Sequence, residues 1–272
     1  ISGGTHAVKI NSAGSEDFPV IPETQKENVF KISVGTLKNA LSQVLPAVSL
    51  DDTRPEINGI LLWVKNEELV LVGTDSYRLA EKKISLTERV GFERKCIVPL
   101  RTIKELVRTL DDGMMEVAVC LSQNQIAFEY PPTEMVSRLI EGQYPDYEQI
   151  IPSSFQYSFT IQRAELINAI KISGLFASVG SNSVAVDIKQ SKQELVISSE
   201  TALGEERTVL TTALSGEHDL RVVFDYRYLL DGLASIQGEG VTVHANSESA
   251  PTVLKAVNEQ EKYLYVVMPI RQ

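Results

Sequence analysis

Apolar positions along this chain follow two spacings, one helical and one alternating. Leu37, Ala40, Leu41, Val44 and Val48 form one helical stripe interrupted at Pro46, which predicts a helix over 36–46. Ile103, Leu106, Val107 and Leu110 share a face over 101–110, and further helices are expected at 163–176 and 226–236. Between the helices lie apolar or alternating runs of strand length. They are ILLWV, ELVLVG, EVAVCL, QIAFEY, MVSRLI, SVAVDI, ELVIS, GVTVHA, TVLKAV and YLYVVM. Turn-forming clusters at 66–67, 111–113, 123–124 and 237–240 separate several of them.

The pattern repeats. FKI at 30–32 and FTI at 159–161 each open an extended stretch that runs into a helix, TLKNAL in one case and AELINAI in the other, at an offset of 129. GILLWVK at 59–65 then matches SVAVDIK at 183–189, ELVLV at 68–72 matches ELVIS at 194–198, and EVAV at 116–119 matches GVTV at 240–243. Four matches in one order at nearly constant spacing indicate a duplicated unit. Each unit reads as strand, helix, several strands, helix, several strands. That is an α+β module of two helices on mainly antiparallel sheets. Residues 17–22 (DFPVIP) echo 147–152 (YEQIIP), so 1–26 read either as the tail of a further module or as a short N-terminal arm. The expected divisions are 1–26, 27–151 and 152–272.

Charge is sorted by element. The whole chain carries a formal charge of −10, which argues against a protein basic all over. The four predicted helices nevertheless hold seven basic residues, Lys38, Arg101, Lys104, Arg108, Arg163, Lys171 and Arg227, against three acids, Glu105, Glu165 and Asp231. Arg101, Lys104 and Arg108 share the face opposite the apolar stripe of their helix. Such a face is either a plain solvated surface or a sequence-blind contact for phosphates. Cys96 and Cys120 sit in apolar stretches and read as buried thiols, which suits a reducing, cytoplasmic setting.

Catalytic and metal motifs are scarce. His6, His218 and His244 are scattered, the two cysteines are not a C-x-x-C pair, and no P-loop, nucleophile elbow or dinucleotide fingerprint is present. No cofactor is implied. TDS at 74–76 and YPDY at 144–147 place Asp75 and Asp146 near hydroxyls, leaving open a hydrolase built on repeated α+β units. A purely structural repeat protein is a third reading.

Four stretches in order are more specific: GTDSYRLA (73–80), RLIEGQYPDYEQIIP (138–152), YLLDGL (228–233) and YVVMPIR (265–271). Together they resemble the bacterial replicative sliding clamp family, the beta subunit of DNA polymerase III, over essentially the whole chain. The resemblance implies tandem clamp modules: a middle domain at 27–151, a last domain at 152–272, and the end of a first domain at 1–26. It also implies a non-catalytic processivity factor that encircles duplex DNA as a head-to-tail homodimeric ring. In such a ring helices line the hole and sheets face outward, so positive charge is needed only on the helices; a chain lacking the first domain would not close it.

The resemblance further implies a pocket for short peptide motifs of the polymerase, the clamp loader and repair proteins. From the middle domain its residues would be Ile57, Thr74, Ser76, Tyr77, Arg78 and Leu79, with Pro145 and Ile150. From the last domain come Tyr228, Pro251, Val266, Val267 and Met268, followed by Pro269, Ile270 and Arg271. A slot of Leu, Ile, Val and polarizable Met suits varied hydrophobic anchors. The chain departs from the family pattern at Tyr77 (often His), Gln149 (often Arg), Ile270 (often Met) and Ser181 (often larger), so peptide preference is its own.

Overall fold

Two helices per repeat interrupt a run of antiparallel strands in a computed structural model describing residues 2–9, 11, 14, 28–111, 113, 115–177, 182–201 and 204–271. The 17–22 echo and Ser181 lie outside the described residues. A small hairpin, β1 (Ser2–Gly3) with β2 (His6–Ala7), precedes the first repeat. That repeat begins with β3 (Asn28–Ser33), α1 (Val34–Val44), β4 (Gly59–Lys65), β5 (Glu68–Thr74) and β6 (Arg78–Ser85). It continues with β7 (Glu93–Pro99), α2 (Leu100–Thr109), β8 (Glu116–Leu121), β9 (Gln125–Tyr130) and β10 (Thr133–Arg138). The second repeat opens with β11 (Tyr157–Gln162), α3 (Arg163–Leu175), β12 (Ser183–Lys189), β13 (Glu194–Thr201) and β14 (Gly204–Thr211). After a short β15 (Leu214–Ser215) come β16 (Leu220–Asp225), α4 (Tyr226–Ser235), β17 (Gly240–Ala245), β18 (Thr252–Ala256) and β19 (Tyr263–Val267). Apart from β15, the element order of the two repeats is the same.

Helices form where the apolar stripe predicted them. In α1, Leu37, Ala40, Leu41 and Val44 are buried, and the helix stops before Pro46, which continues only as a 3₁₀ turn over Leu45–Ala47. The Asp225 carboxylate caps α4 by accepting the Arg227 amide at 2.9 Å. The strands β6, β7, β14 and β16 were not among the runs picked out by apolar pattern. Charged residues interleave in each of them (RLAEKKIS, ERKCIVP, GEERTVLT and LRVVFD), and sheet partners supply what the side-chain pattern does not show. The run expected at 135–140 is strand only through Arg138, because Leu139 and Ile140 leave β9 to bond Asn124 and Ile97.

The strands make a nine-stranded sheet, β15-β11-β17-β18-β19-β6-β5-β4-β7, and two four-stranded sheets, β10-β9-β8-β3 and β14-β13-β12-β16. In the large sheet β19 of the second repeat pairs with β6 of the first, from Tyr263 opposite Lys82 to Val267 opposite Arg78. Along one side the helices form a row, α2 against α1, α1 against α4 and α4 against α3. The main core lies between this row and the sheets. On the opposite side the segment after β10 crosses the large sheet as a strap. Tyr144, Tyr147, Ile151 and Phe155 pack over Leu61, Trp63, Val70, Val72, Leu79 and Val266. Tyr144 donates to the Val72 carbonyl at 3.2 Å, and Tyr147 donates to the buried Glu81 carboxylate at 2.8 Å.

The glycine of YLLDGL is fixed by close approach: a Cβ on Gly232 would meet the fully buried Tyr265 ring at 2.5 Å. Gly232→Ala is expected to cost about 1–3 kcal/mol through overpacking. A lowered urea midpoint with an unchanged slope checks it, and Gly91→Ala, where nothing lies within 4 Å of the added carbon, is the neutral control.

Candidate functional site

The 74–78 turn joining β5 to β6 is built by its own polar side chains. Thr74 Oγ1 donates to the Arg78 carbonyl at 2.7 Å and accepts the Ser76 amide at 3.1 Å. Asp75 accepts the Tyr77 and Arg78 amides at 2.9 and 3.0 Å, and Ser76 takes a left-handed φ of 79°. The turn thereby lifts Tyr77 into solvent, 63% exposed. Its ring stacks on Tyr228 of α4 with centroids 6.4 Å apart. The Arg78 guanidinium lies 4.4 Å from the centre of that same Tyr228 ring. It pairs with Asp75 at 2.9 Å and reaches across the seam between repeats to bond Asp231 of α4. Burial opposes the charge on Arg78, but Tyr265, Asp231 and Asp75 raise its pKa, so it stays a fixed cation. Burial, followed by the Asp75 charge, raises the Tyr228 hydroxyl, keeping it a neutral donor.

The tail after β19 docks beside this turn. The Met268 amide donates to the Tyr77 carbonyl at 2.8 Å, and the Ile270 amide donates to the Val223 carbonyl of β16 at 2.7 Å. Ser76, Tyr77, Arg78, Tyr228, Met268, Pro269, Ile270 and Arg271 are thus exposed or half-buried around one rim. Thr74, Leu79 and Val266 are buried beneath it, the last two within the cluster under the strap. Val267 points the other way, into the core on the helix side, so it shapes the rim only through its backbone. Ile57 is buried in a 3₁₀ turn, and Pro251 is half-buried just before β18. Ile150 is exposed on the strap, while Pro145 lines a separate cavity of about 950 Å³ between the strap and β7. Two residues that pattern reading missed complete the rim. Arg54 donates to Ser76 Oγ at 2.8 Å, and Asp231 anchors Arg78. Asp231 lies inside the YLLDGL stretch, whereas only the folded chain brings Arg54 to Ser76.

The seven helix cations divide into three groups. Lys38 donates to the Leu110 carbonyl at 3.0 Å, and Arg163 donates to Leu233 and Gly238 carbonyls at 3.2 and 2.9 Å. Each therefore sits at the carboxyl end of the sister helix, where the dipole favours positive charge. Arg108 pairs with Glu105 at 2.7 Å and Arg227 with Asp225 at 2.6 Å. Arg101, Lys104 and Lys171 are exposed and have no ion-pair partner among the described residues.

The surroundings of its two carboxylates do not favour a hydrolytic reading. Asp75 is committed to the turn and to Arg78, and Asp146 accepts from Gln149 Nε2 at 2.6 Å. Among the described residues no group of three or more His, Cys, Asp or Glu is placed to hold a metal, and no helix is long and apolar enough to cross a membrane. Cys96 and Cys120 are buried and not joined to each other; the Cys120 thiol donates to Glu129 Oε1 at 3.6 Å, and burial pushes the Cys96 thiol up to about 12, which leaves it unreactive.

Solved structures with this arrangement are sliding clamps. The Bacillus subtilis DNA polymerase sliding clamp superposes with a TM-score of 0.91 at 27% identity, over 96% of this chain and 68% of that one. The DNA polymerase III beta subunit of Thermotoga maritima gives 0.92 at 25% identity, covering 100% and 73%. A Pseudomonas aeruginosa sliding clamp bound to griselimycin gives 0.89 at 26% identity, covering 96% and 70%. By sequence, the beta sliding clamp of Staphylococcus aureus is 28% identical across all of this chain and 71% of its own length. The family models for the central and C-terminal domains of the DNA polymerase III beta subunit match residues 31–146 and 148–271. The chain belongs to the DNA polymerase III beta subunit family, whose members are sliding clamps: processivity factors rather than catalysts.

If the Arg78–Asp231 contact ties the two repeats at this rim, Arg78→Ala and Asp231→Ala should be coupled. A double-mutant cycle by denaturant unfolding is expected to give about 1 kcal/mol of interaction energy, since Asp231 is partly exposed. Additive losses would assign the pair no role at the seam.

Proposed function

We propose that the helix row faces duplex DNA while the rim around Tyr77, Tyr228 and Met268 docks partner peptides. The observation that carries the DNA half is the single helix layer with Arg101, Lys104 and Lys171 free of carboxylate partners among the described residues, set in a chain of net charge −10. A few unpaired cations give a weak phosphate contact that leaves a ring able to slide. The peptide half rests on an aromatic and thioether rim above an apolar floor, flanked by the fixed cation Arg78. Short linear motifs with a Gln and terminal hydrophobics, from polymerase, clamp loader and repair proteins, are the ligands this reading assigns. The rim comprises Ser76, Tyr77, Arg78, Tyr228, Met268, Pro269, Ile270 and Arg271, over a floor of Thr74, Leu79 and Val266. Ile57, Pro145, Ile150, Pro251 and Val267 act at one remove. Domain limits of 27–151 and 152–272, and a cytoplasmic setting, go with this reading.

Head-to-tail association is the third part of the proposal. The seam pairs β19 with β6, and α4 with α1. By the repeat, β10 is the counterpart of β19, and β14 and α3 are the counterparts of β6 and α1. Both β10 and β14 are sheet edges, and the end of α3 exposes Ile172, Leu175 and Phe176. These surfaces suit a further clamp module on either side, as in a ring of subunits around DNA.

Duplex binding by the chain should be weak and steeply salt-dependent. Arg101→Ala with Lys104→Ala should lower the slope of log K against log salt by about two. An unchanged slope would place DNA elsewhere. For the pocket, Met268→Ala and Tyr77→Ala should each weaken a clamp-motif peptide by about tenfold, read by fluorescence anisotropy, with an unchanged melting temperature. Equal affinity in both variants would remove the pocket from this rim.

A further inference from the structure

The two repeats treat the same outer sheet face in opposite ways. In the first repeat Leu61 lies opposite Val72 and Ile97, and Val72 lies opposite Glu81. The same register in the second places Ala185 opposite Ser198 and Val223, and Ser198 opposite Arg207. The chain meets both faces alike: Ile140 donates to the Ile97 carbonyl at 2.9 Å and Ile270 to the Val223 carbonyl at 2.7 Å. After Ile140 it lies down over the apolar face as the strap, with Tyr147 donating to Glu81. The second face is instead an open groove of about 600 Å³, lined among the described residues by β12, β13, β14 and β16.

Its chemistry is not that of a face awaiting an apolar cover. Small and polar residues, Ala185, Ser183 and Ser198, stand in its floor. Where the first repeat has Glu81, the second has Arg207, a charge reversal at the position that anchors the strap. Arg221 is committed to Asp187 at 2.7 Å, and Lys189 to Asp187 and Asp219. Arg207 is exposed and has no ion-pair partner among the described residues. Beside it Glu205 lies directly opposite Glu200, two exposed carboxylates in cross-strand register that repel each other. A residue two positions along an extended chain is about 6–7 Å away, the spacing between Glu205 and Arg207 on β14.

We propose that this groove is a second docking site for an extended polar segment of a partner protein, carrying an ammonium over Glu200 and Glu205 and a carboxylate two residues away over Arg207. The segment lies across the second repeat as 141–155 lies across the first, and its arrival relieves the Glu200–Glu205 repulsion. The proposal rests on the reading of the chain as a partner hub, and extends it from the apolar rim to a charge-reading groove.

The test uses the full ¹⁵N-labelled chain and a capped peptide, Ser-Lys-Ser-Glu-Ser-Lys-Ser, whose palindromic sequence serves either chain direction. Amide shifts are expected at Ala185, Ser198 and Arg207. Arg207→Glu should weaken the titration by about fivefold or more, while Arg207→Lys keeps it. Met268→Ala should leave it unchanged, so failure of the rim and failure of the groove are told apart. No shifts, shifts elsewhere, equal binding to Arg207→Glu, or equal binding of a peptide with Gln replacing Glu would each overturn the proposal. Shifts at the same residues on raising protein concentration without peptide would assign the groove to a second copy and overturn it too.

Discussion

Everything distinctive about this chain depends on the antiparallel ladder between β6 and β19. It fuses two repeats into one nine-stranded sheet, with Val266 opposite Leu79 and Val267 opposite Arg78. Backbone pairing fixes the register, and a buried polar cluster behind it fixes the angle between modules. Gln43 of α1 donates to the Ser235 carbonyl at 2.8 Å and to Glu261 at 2.5 Å, Tyr263 donates to the Gln43 carbonyl at 3.2 Å, and Lys82 donates to the Glu261 carbonyl at 2.5 Å. Such groups are costly to leave unpaired, so sliding one module along the other would break several bonds at once. The ladder also brings the 74–78 turn against α4 and the tail, so the rim exists only because the seam does.

The seam likewise places α4 against α1 and makes one helix row from two modules. Within that row, basic residues perform separate tasks. Lys38 and Arg163 secure the ends of neighbouring helices, Arg108 and Arg227 are held by adjacent carboxylates, and three cations remain outward and unpaired among the described residues. A net charge of −10 is compatible with a helix row richer in bases than in acids, because the excess of acids lies in the rest of the chain.

Much of the architecture was legible because duplication leaves its mark in spacing. Four short matches at offsets of 124–129 anticipated the element order of both modules, and the stripes of Leu37, Leu41 and Val44 or Ile103 and Leu106 located helices to within two residues. Strands β6, β7, β14 and β16 lack a clear apolar pattern because charged residues interleave in them, and backbone pairing in the sheets, not side-chain alternation, makes them strands. Glu81 is the sharpest case: it reads as a surface acid, yet it is buried beneath Tyr147 and paired with Lys83 at 3.2 Å. The candidate pocket was legible only through family resemblance, and residue by residue it divides into rim, floor and core. Val267 shows why: adjacent strand positions face opposite sides of a sheet, and only the observed register says which side meets solvent.

The amino-acid sequence by itself determined the repeated α+β units, the positive helices within an acidic chain, and the absence of familiar catalytic motifs, since periodicity, charge and local motifs are properties of neighbours along the chain. Tertiary structure alone decided which cations remain unpaired among the described residues, which of the candidate pocket residues are reachable, and that Arg207 occupies the place of Glu81. Those depend on strand register and burial rather than on local pattern: Arg207 is placed by its pairing with Ser198, and the rim by the pairing of Leu79 with Val266 across the seam.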